Sequence, residues 1–269
     1  MDFISIKNNQ CIRFGEIPVL PYADFYSLID NKLTTAPDAH CVAYYGVPMD
    51  GKIRLICCLA DDATHLINVA SATVEPTAVL ESLTPKHLDL QLFEREIHEN
   101  FGVGFSGHPW LKPVRYPHNA ADRSLKMQDY PFYQIDSEEL HEVGVGPIHA
   151  GIIEPGHFRF ICNGEQILHL EIQLGYQHRG IETLFLQKNN LLQRATLAEN
   201  IAGDTVIGHS TAFANLWESL CGFEPSRQLQ IERAFALENE RIAIHTGDLS
   251  GICTDIAYQL GNSVFGRLR

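Results

Sequence analysis

The chain has 269 residues, of which 45% are apolar, so it can form one large domain or two modest domains with hydrophobic cores. Its 20 Lys and Arg against 33 Asp and Glu give a net charge of −13, which argues against binding nucleic acid or adhering directly to anionic lipid. No apolar run approaches the roughly 18–20 residues that cross a bilayer, and the first residues lack the basic-then-apolar order of a secretory signal, so we expect a soluble cytoplasmic protein without direct membrane insertion.

The seven cysteines are spread along the chain, at positions 11, 41, 57, 58, 162, 221 and 253. Their number is odd and no two of them form a Cys-x-x-Cys pair, which predicts neither a disulfide framework nor a zinc or iron–sulfur site. Cys57 and Cys58 are adjacent, so their side chains should point to opposite faces of a strand.

The first part of the chain is typical of an α/β domain. Its predicted elements are a helix over 22–33, strands over 41–47, 53–60 and 66–74, and a helix over 90–100. Asp50-Gly51 predicts a hairpin turn between the first two strands, and Gly102 suits the left-handed cap of the second helix.

Residues 106–148 contain five prolines and an acidic stretch, a composition that favours extended chain. We therefore predict a first domain over 1–120, a linker over 121–143 and a second domain over 144–269. The second domain should begin with a hairpin and continue as helices. The predicted elements are strands over 157–162 and 166–174, and helices over 184–197, 204–220 and from Pro225 to about Tyr258.

The run Glu94–Pro109, EREIHENFGVGFSGHP, places charged residues on a helix that breaks at Gly102 and ends in Gly-His-Pro. It resembles the signature of the C subunit of bacterial NADH–quinone oxidoreductase (complex I). The resemblance implies folding and subunit docking for Glu94, Arg95, Glu96, His108 and Pro109. The alternative is a merely solvated helix face.

An ordered set of strings in the second part carries another resemblance. The strings are Gly146-Pro147-Ile148-His149, EPGHFRF (154–160), LGYQHRGIE (174–182), ENIAGDTVIGHS (199–210) and ENERIAIHTGDL (238–249). In this order they resemble the first half of the complex I D subunit and, more closely, the large subunits of group 4 membrane-bound [NiFe] hydrogenases and formate hydrogenlyase. The implied fold is α+β: a C-type α/β domain, then a small antiparallel β region leading into an incomplete helical bundle.

Two departures from these families bear on function. Where [NiFe] hydrogenases have Cys-Gly-x-Cys, this chain has Ala202 and Thr205, which offer no thiolate for a nickel–iron centre. The chain also reaches Arg269 before the family's second Cys pair and before the later helices of its bundle. We therefore expect no nickel–iron centre, and we expect self-association if those helices normally cover 229–258.

The second departure concerns quinone. In the complex I relatives, a second His of the turn and a later Tyr contact the quinone head. Here these positions fall near 153–154 and near Gly203, and neither residue is present. His149 matches only the first His of that turn. Quinone binding by this chain therefore stays possible, but these residues do not support it.

The remaining candidates for chemistry are His178, Arg179 and Glu182, which the family places beside the iron–sulfur cluster of a partner. A guanidinium keeps its charge at any working pH and a His can take up a proton. The alternative is a charged pair that closes a strand-to-helix turn at Gly180. Asp204 and His209 are candidates for a proton relay, together with Glu199. Glu238, Arg241 and His245 share one helix face, where we expect a buried ion pair between packed helices.

The sequence therefore predicts a peripheral subunit of a membrane-bound respiratory or hydrogenase-related electron-transfer complex. Its expected partners are an iron–sulfur small subunit and membrane-arm subunits, with no cofactor bound directly by this chain and NADH bound elsewhere in the assembly. Two alternatives stay open, a genuine hydrogenase large subunit and a non-catalytic assembly scaffold.

Overall fold

The computed structural model describes residues 2–115, 121, 124, 130–137, 139–148 and 155–269. The chain divides into two compact units: Met1–Gln134 with Gln173–Gly175, and Ile135–Ile172 with Tyr176–Arg269. Antiparallel sheets and separate helices alternate with little parallel pairing, so the predicted α+β class is confirmed.

The first unit contains seven strands and two α-helices among its described residues. In chain order these are β1 (Ile4–Ile6), β2 (Val19–Leu20), α1 (Tyr22–Thr35), β3 (Ala39–Met49), β4 (Lys52–Asp61), β5 (Leu66–Val74), β6 (Val79–Glu81), α2 (Gln91–Phe101) and β7 (Gly104–Ser106).

Five of these strands form one sheet, in the order β1-β5-β4-β3, with β2 parallel to β5. The β3–β4 hairpin turns at Asp50 and Gly51, which both have positive φ (49° and 78°), as the predicted two-residue turn requires. β6, which precedes α2, and β7, which follows it, make a separate parallel pair. The short strands β1, β2, β6 and β7 were not predicted, because two or three residues carry no periodicity.

The sheet is apolar on both faces. Its larger core packs Phe25 and Ile29 of α1 and Ile97 of α2 against buried residues of β3, β4 and β5. A smaller cluster on the other face is closed by the N-terminal segment. Cys57 belongs to the first cluster and Cys58 packs against the second, which confirms that the two thiols point to opposite faces.

The second unit contains three strands and five α-helices among its described residues. They are β8 (His141–Val145), β9 (His157–Asn163), β10 (Gln166–Gln173), α3 (Ile181–Gln187), α4 (Leu191–Glu199), α5 (Val206–Cys221), α6 (Arg227–Asp255) and α7 (Gln259–Leu268). The strands form one sheet in the order β10-β9-β8. β8 begins inside the stretch predicted as a linker.

Two helix predictions need correction. The single helix predicted over 184–197 is two helices, since Asn190 leaves the helical conformation and its side chain accepts the backbone N–H of Leu192 at 2.8 Å. The long last helix stops at Asp255, because Ala257 adopts a left-handed φ of 59°, and α7 then follows without having been predicted.

Among the described residues, no helix combines the length and the apolar character that a transmembrane span requires.

Candidate functional site

The signature helix α2 carries a fully buried carboxylate, Glu94. Its oxygens accept hydrogen bonds from the backbone N–H of Leu83 (2.8 Å), the N–H of Thr84 (3.4 Å) and the hydroxyls of Ser82 and Thr84. A buried charge is tolerated when its lone pairs are satisfied in this way. Glu94 therefore fixes residues 82–84, the segment that follows β6, to the first turn of α2.

A second buried carboxylate on α2, Glu99, holds the chain that follows β7. It accepts the backbone N–H groups of Val114 (2.7 Å) and Arg115 (3.0 Å), and the Nε of Arg115 lies 2.8 Å from its other oxygen. Arg115 also reaches the side chain of Glu96, at 3.2 Å. The acids of this helix thus hold two separate segments of the chain.

Arg95 completes the attachment from the same helix. Its Nε and Nη2 each donate at 2.8 Å, to the carbonyl oxygens of Lys112 and Pro113. Its guanidinium lies 4.7 Å from the ring centroid of Trp110, a cation–π distance. Arg95 therefore holds the loop after Pro109 by hydrogen bonds and by stacking.

His108 lies inside this arrangement, with its side chain 0% exposed and its Nε2 3.9 Å from a Glu94 oxygen. The backbone N–H of Trp110 donates to its Nδ1 at 3.0 Å, so Nε2 carries the proton of the neutral ring. Burial lowers the pKa of His108, more than the nearby Glu94 carboxylate raises it. The imidazole is therefore neutral near pH 7.

The charged residues of the signature accordingly have intramolecular partners. Glu94, Arg95 and His108 are turned into the first unit, while Glu96 is partly exposed and Pro109 and Gly107 are exposed. A merely solvated helix face, the alternative considered from the sequence, is wrong for Glu94, Arg95 and Glu99, which are all buried. These buried side chains hold the loop 107–113, which lies at the surface of the first unit.

In the second unit, the loop 200–205 joins α4 to α5 and contains Ala202 and Thr205, which the sequence analysis aligns with the Cys pair of [NiFe] hydrogenases. Arg179 donates through Nη2 to the carbonyl oxygens of Asn200 and Ile201. The guanidinium is fixed by these bonds, although the residue as a whole is exposed. Arg179 therefore links the turn before α3 to this loop.

Ala202 and Thr205 offer few donor atoms for a metal. Ala202 has only a methyl group, and the hydroxyl of Thr205 lies 2.9 Å from Nδ1 of His209, one turn along α5. The same Nδ1 is 2.9 Å from the Thr205 carbonyl oxygen. This donor set does not fit a nickel–iron centre, because it contains no thiolate and its one hydroxyl is already hydrogen-bonded. Among the described residues, no cluster of His, Cys, Asp and Glu has the geometry of a metal site.

Two further side chains hold this region from a distance in sequence. Glu240 of α6 accepts the backbone N–H groups of Ile207 and Gly208, the latter at 3.0 Å, so a carboxylate caps the first turn of α5. Arg269 pairs with Asp204 at 2.5 Å. Asp204 and His209 therefore belong to one neighbourhood, but each has a different partner.

The other sequence candidates are placed separately. His178 and Glu182 are exposed, on the turn before α3 and in its first turn. His149 lies outside the described residues. Glu238 and Arg241 are 3.2 Å apart on the same helix and about 60% exposed, so the expected buried pair between helices is wrong.

Sequence reasoning missed Glu99, Arg115 and Glu240 as organising residues. Glu99 lies within the signature, five residues after Glu94, but a periodic pattern does not tell a buried acid from a solvated one. Glu240 is separated from its partners by more than thirty residues, and no local signal connects them.

These features agree with comparisons to known proteins. Residues 27–132 match the family described as respiratory-chain NADH dehydrogenase, 30 Kd subunit. The match contains α2 with both of its buried acids and the segment that they hold. This part of the chain is therefore similar to that family, and the resemblance read from Glu94–Pro109 is confirmed.

Individual relatives extend the likeness into the second unit. The chain is 28% identical to hydrogenase-4 component G of Escherichia coli (strain K12), over 86% of this chain and 43% of the relative. It is 28% identical to formate hydrogenlyase subunit 5 of the same organism, over 70% of this chain and 36% of the relative. It is 27% identical to the fused C/D subunit of NADH-quinone oxidoreductase from Phocaeicola vulgatus, over 61% and 37%. The chain thus spans less than half the length of these curated relatives.

Proposed function

We propose that this chain is a peripheral subunit of a hydrogenase-related or complex-I-related electron-transfer assembly. It frames the cavity beside an iron–sulfur cluster held by a partner small subunit and has no nickel–iron centre of its own. Membrane-arm subunits hold it at the inner face of the cell membrane. The proposal rests on relatives whose names describe components of hydrogenase, formate hydrogenlyase and NADH–quinone oxidoreductase.

The proposal that this chain binds no nickel or iron rests on the loop 200–205. Thiolate ligands are what a nickel–iron centre requires, and this loop supplies a methyl group and a hydrogen-bonded hydroxyl instead. Near this loop, Glu240 caps the first turn of α5 and Arg269 forms an ion pair with Asp204. The region is organised by hydrogen bonds that need no metal.

Metal analysis of the purified protein tests this part. We expect nickel and iron well below one atom per chain, both in the protein as isolated and after incubation with Ni²⁺ and Fe²⁺ under reducing conditions. Stoichiometric nickel and iron that survive gel filtration would contradict the proposal and favour a hydrogenase large subunit.

Arg179 supports the placement beside a cluster. Its guanidinium is anchored to two carbonyl oxygens and the residue as a whole is exposed, so the turn carries a fixed positive charge near its surface. A fixed cation near an iron–sulfur cluster stabilises the reduced, more negative form and raises the reduction potential. His178, exposed on the same turn, is positioned to exchange a proton with that surface.

A redox titration of the complex with its iron–sulfur partner, followed by electron paramagnetic resonance, tests this role. Arg179→Gln should lower the cluster's potential, while Arg179→Lys keeps the charge and should leave it closer to the wild-type value. If Lys and Gln shift the potential equally, Arg179 only holds the loop. If the chain forms no complex with the iron–sulfur partner and leaves the spectrum of the partner's cluster unchanged, the whole assignment is contradicted.

The first unit contributes the docking surface in this proposal. Arg95, Glu99 and His108 fix the loop that exposes Gly107 and Pro109, so the loop is presented in one conformation at little entropic cost of binding. Pro109→Glu should reduce co-purification with the partner subunits while leaving the urea unfolding midpoint unchanged. Unaltered co-purification would place the docking surface elsewhere.

A further inference from the structure

The sheet face opposite α1 and α2 contains a buried guanidinium, that of Arg54 on β4, which is only 6% exposed. Its Nε donates to the hydroxyl of Ser71 at 3.0 Å, and its Nη2 donates to the carbonyl oxygen of Ile17 at 2.8 Å. The ring of Phe14 covers the guanidinium, with the ring centroid 4.3 Å from Cζ. Arg54 is therefore held in place by three neutral groups.

Among the residues that the structure describes, no carboxylate pairs with this cation. Glu16, on the segment that covers Arg54, accepts the backbone N–H of Arg13 at 3.2 Å. Glu75, directly after β5, pairs with Lys52 at 2.8 Å. Burial lowers the pKa of Arg54, and no described acid raises it again. Since a buried charge is costly unless a counter-charge lies close to it, an anion that reached Arg54 would be bound favourably.

One amino group of Arg54 remains available to such an anion. Within the described ranges, Nη1 makes no hydrogen bond, and it is not among the fully buried polar atoms that lack a partner. It therefore keeps contact with solvent. Two exposed aromatic side chains belong to the same sheet face. Phe14 is 41% exposed, and Tyr45 of β3, which lies opposite the buried Ile56, is 46% exposed.

We propose that Arg54 binds a carboxylate that an acidic side chain of a partner polypeptide brings to this face. A carboxylate accepts charge-assisted hydrogen bonds from a guanidinium and supplies the missing negative charge. Because Nε and Nη2 are already engaged, a small free anion would gain few bonds here. An acidic side chain with apolar neighbours gains in addition the contacts with Phe14 and Tyr45, and arginine and aromatic residues are enriched in protein interfaces. The site shares no residue with the loop 107–113 that is proposed above for docking.

Nuclear magnetic resonance of the full chain tests the site through the Nε–H signal of the Arg54 side chain, which donates to Ser71. The probe is an N-acetylated and C-amidated tripeptide, Leu-Glu-Leu, and the matched control peptide has Gln in place of Glu. We expect the Glu peptide to shift the Arg54 signal saturably at millimolar concentrations. The Gln peptide should leave the signal in place, because it has the same apolar side chains but no charge.

Two variants separate the buried cation from the general charge of this segment. Peptide binding is followed on the backbone amides of Ile17 and Ser71. Arg54→Gln should weaken it at least about ten-fold, because the guanidinium is lost. Arg13→Gln removes an exposed positive charge from the same segment and should change binding less than about two-fold. Circular dichroism checks that both variants keep the fold of the wild-type chain.

An Arg54 signal that neither peptide shifts would overturn the proposal, as would equal shifts with both peptides or equal losses of binding in both variants. If sodium acetate acts at the same concentration as the Glu peptide, the carboxylate comes from a small molecule, and the polypeptide partner is contradicted. Should Arg54→Gln not fold, the comparison of the two peptides on the wild-type chain decides alone. This inference does not rest on the proposed electron-transfer role and survives its failure.

Discussion

Glu94 and Glu99 show how buried acids organise the first unit. Each carboxylate lies inside the protein, where an unpaired charge would be costly, and each is surrounded by hydrogen-bond donors from a different chain segment. The two acids are five residues apart, so they reach out from different sides of one helix. The signature residues thus fix two chain segments to α2. Any docking role of the signature acts through the loop that these residues position.

Glu94→Ala should destabilise the first unit by about 3 kcal/mol or more, because it leaves several buried donors without an acceptor. Urea unfolding followed by Trp110 fluorescence, with Trp217 replaced by Phe, reports this unit. The control is Glu96→Ala, whose partly exposed ion pair with Arg115 should contribute less than about 1 kcal/mol. Equal effects of the two substitutions would show that Glu94 is no more important than a surface acid.

His108 should make the first unit sensitive to mild acid. Burial lowers the pKa of the folded-state imidazole below 6.5, its value in the unfolded chain, so the folded state holds fewer protons in the window between the two values. Stability is then fully present above about pH 6.5 and is lost as the pH falls below it. His108→Gln should reduce the slope of unfolding free energy against pH between 7 and about 5. An identical slope in the variant would contradict this assignment.

At the scale of elements, the second unit depends on contacts at helix ends. Asn190 starts α4, Ser226 starts α6 by accepting the N–H of Leu229, and Glu240 closes the first turn of α5 from another helix. Helical periodicity alone identified most of these helices. It did not show where 184–197 breaks, because a single capping side chain outweighs the weak propensity of the residues around it.

Glu240→Ala should destabilise the second unit by about 1–2 kcal/mol, since two N–H groups at the start of α5 lose their acceptor and α5 loses a link to α6. Trp217 lies on α5, so its fluorescence during urea unfolding gives the measurement. Glu224→Ala, at an exposed acid before α6, serves as the control and should change stability by less than about 0.5 kcal/mol. Comparable losses in both variants would refute the proposed link.

For the whole molecule, burial is divided unevenly between the two units. Among the described residues, 21 of the buried apolar side chains belong to the first unit and four to the second: Ile161, Cys162, Ala198 and Cys253. Large apolar side chains on α3 to α7 are instead exposed. The first unit therefore has a core of its own, whereas the second has helices with outward-facing apolar stripes, which is the condition that favours association.

Hydrogen exchange measured on the full chain should follow this division. Amides of β4 and β5 should exchange slowest, because they lie in the buried sheet, and those of α3 and α7 should exchange fastest. Uniform protection across both units would contradict the uneven burial.

From the sequence we could predict the main hairpin, the helices α1, α2 and α5, the opposite directions of Cys57 and Cys58, and the family resemblance of the first domain. These features depend on local periodicity, turn residues and an ordered motif, all of which act over a few residues. The tertiary structure was needed to show that Glu94 and Glu99 are buried, that Arg179 bonds residues 200–201 while Glu240 bonds residues 207–208, and that Glu238 and Arg241 are exposed. Those facts depend on hydrogen-bond donors and surfaces from segments that are distant in the chain, and local sequence patterns do not predict which segments become neighbours.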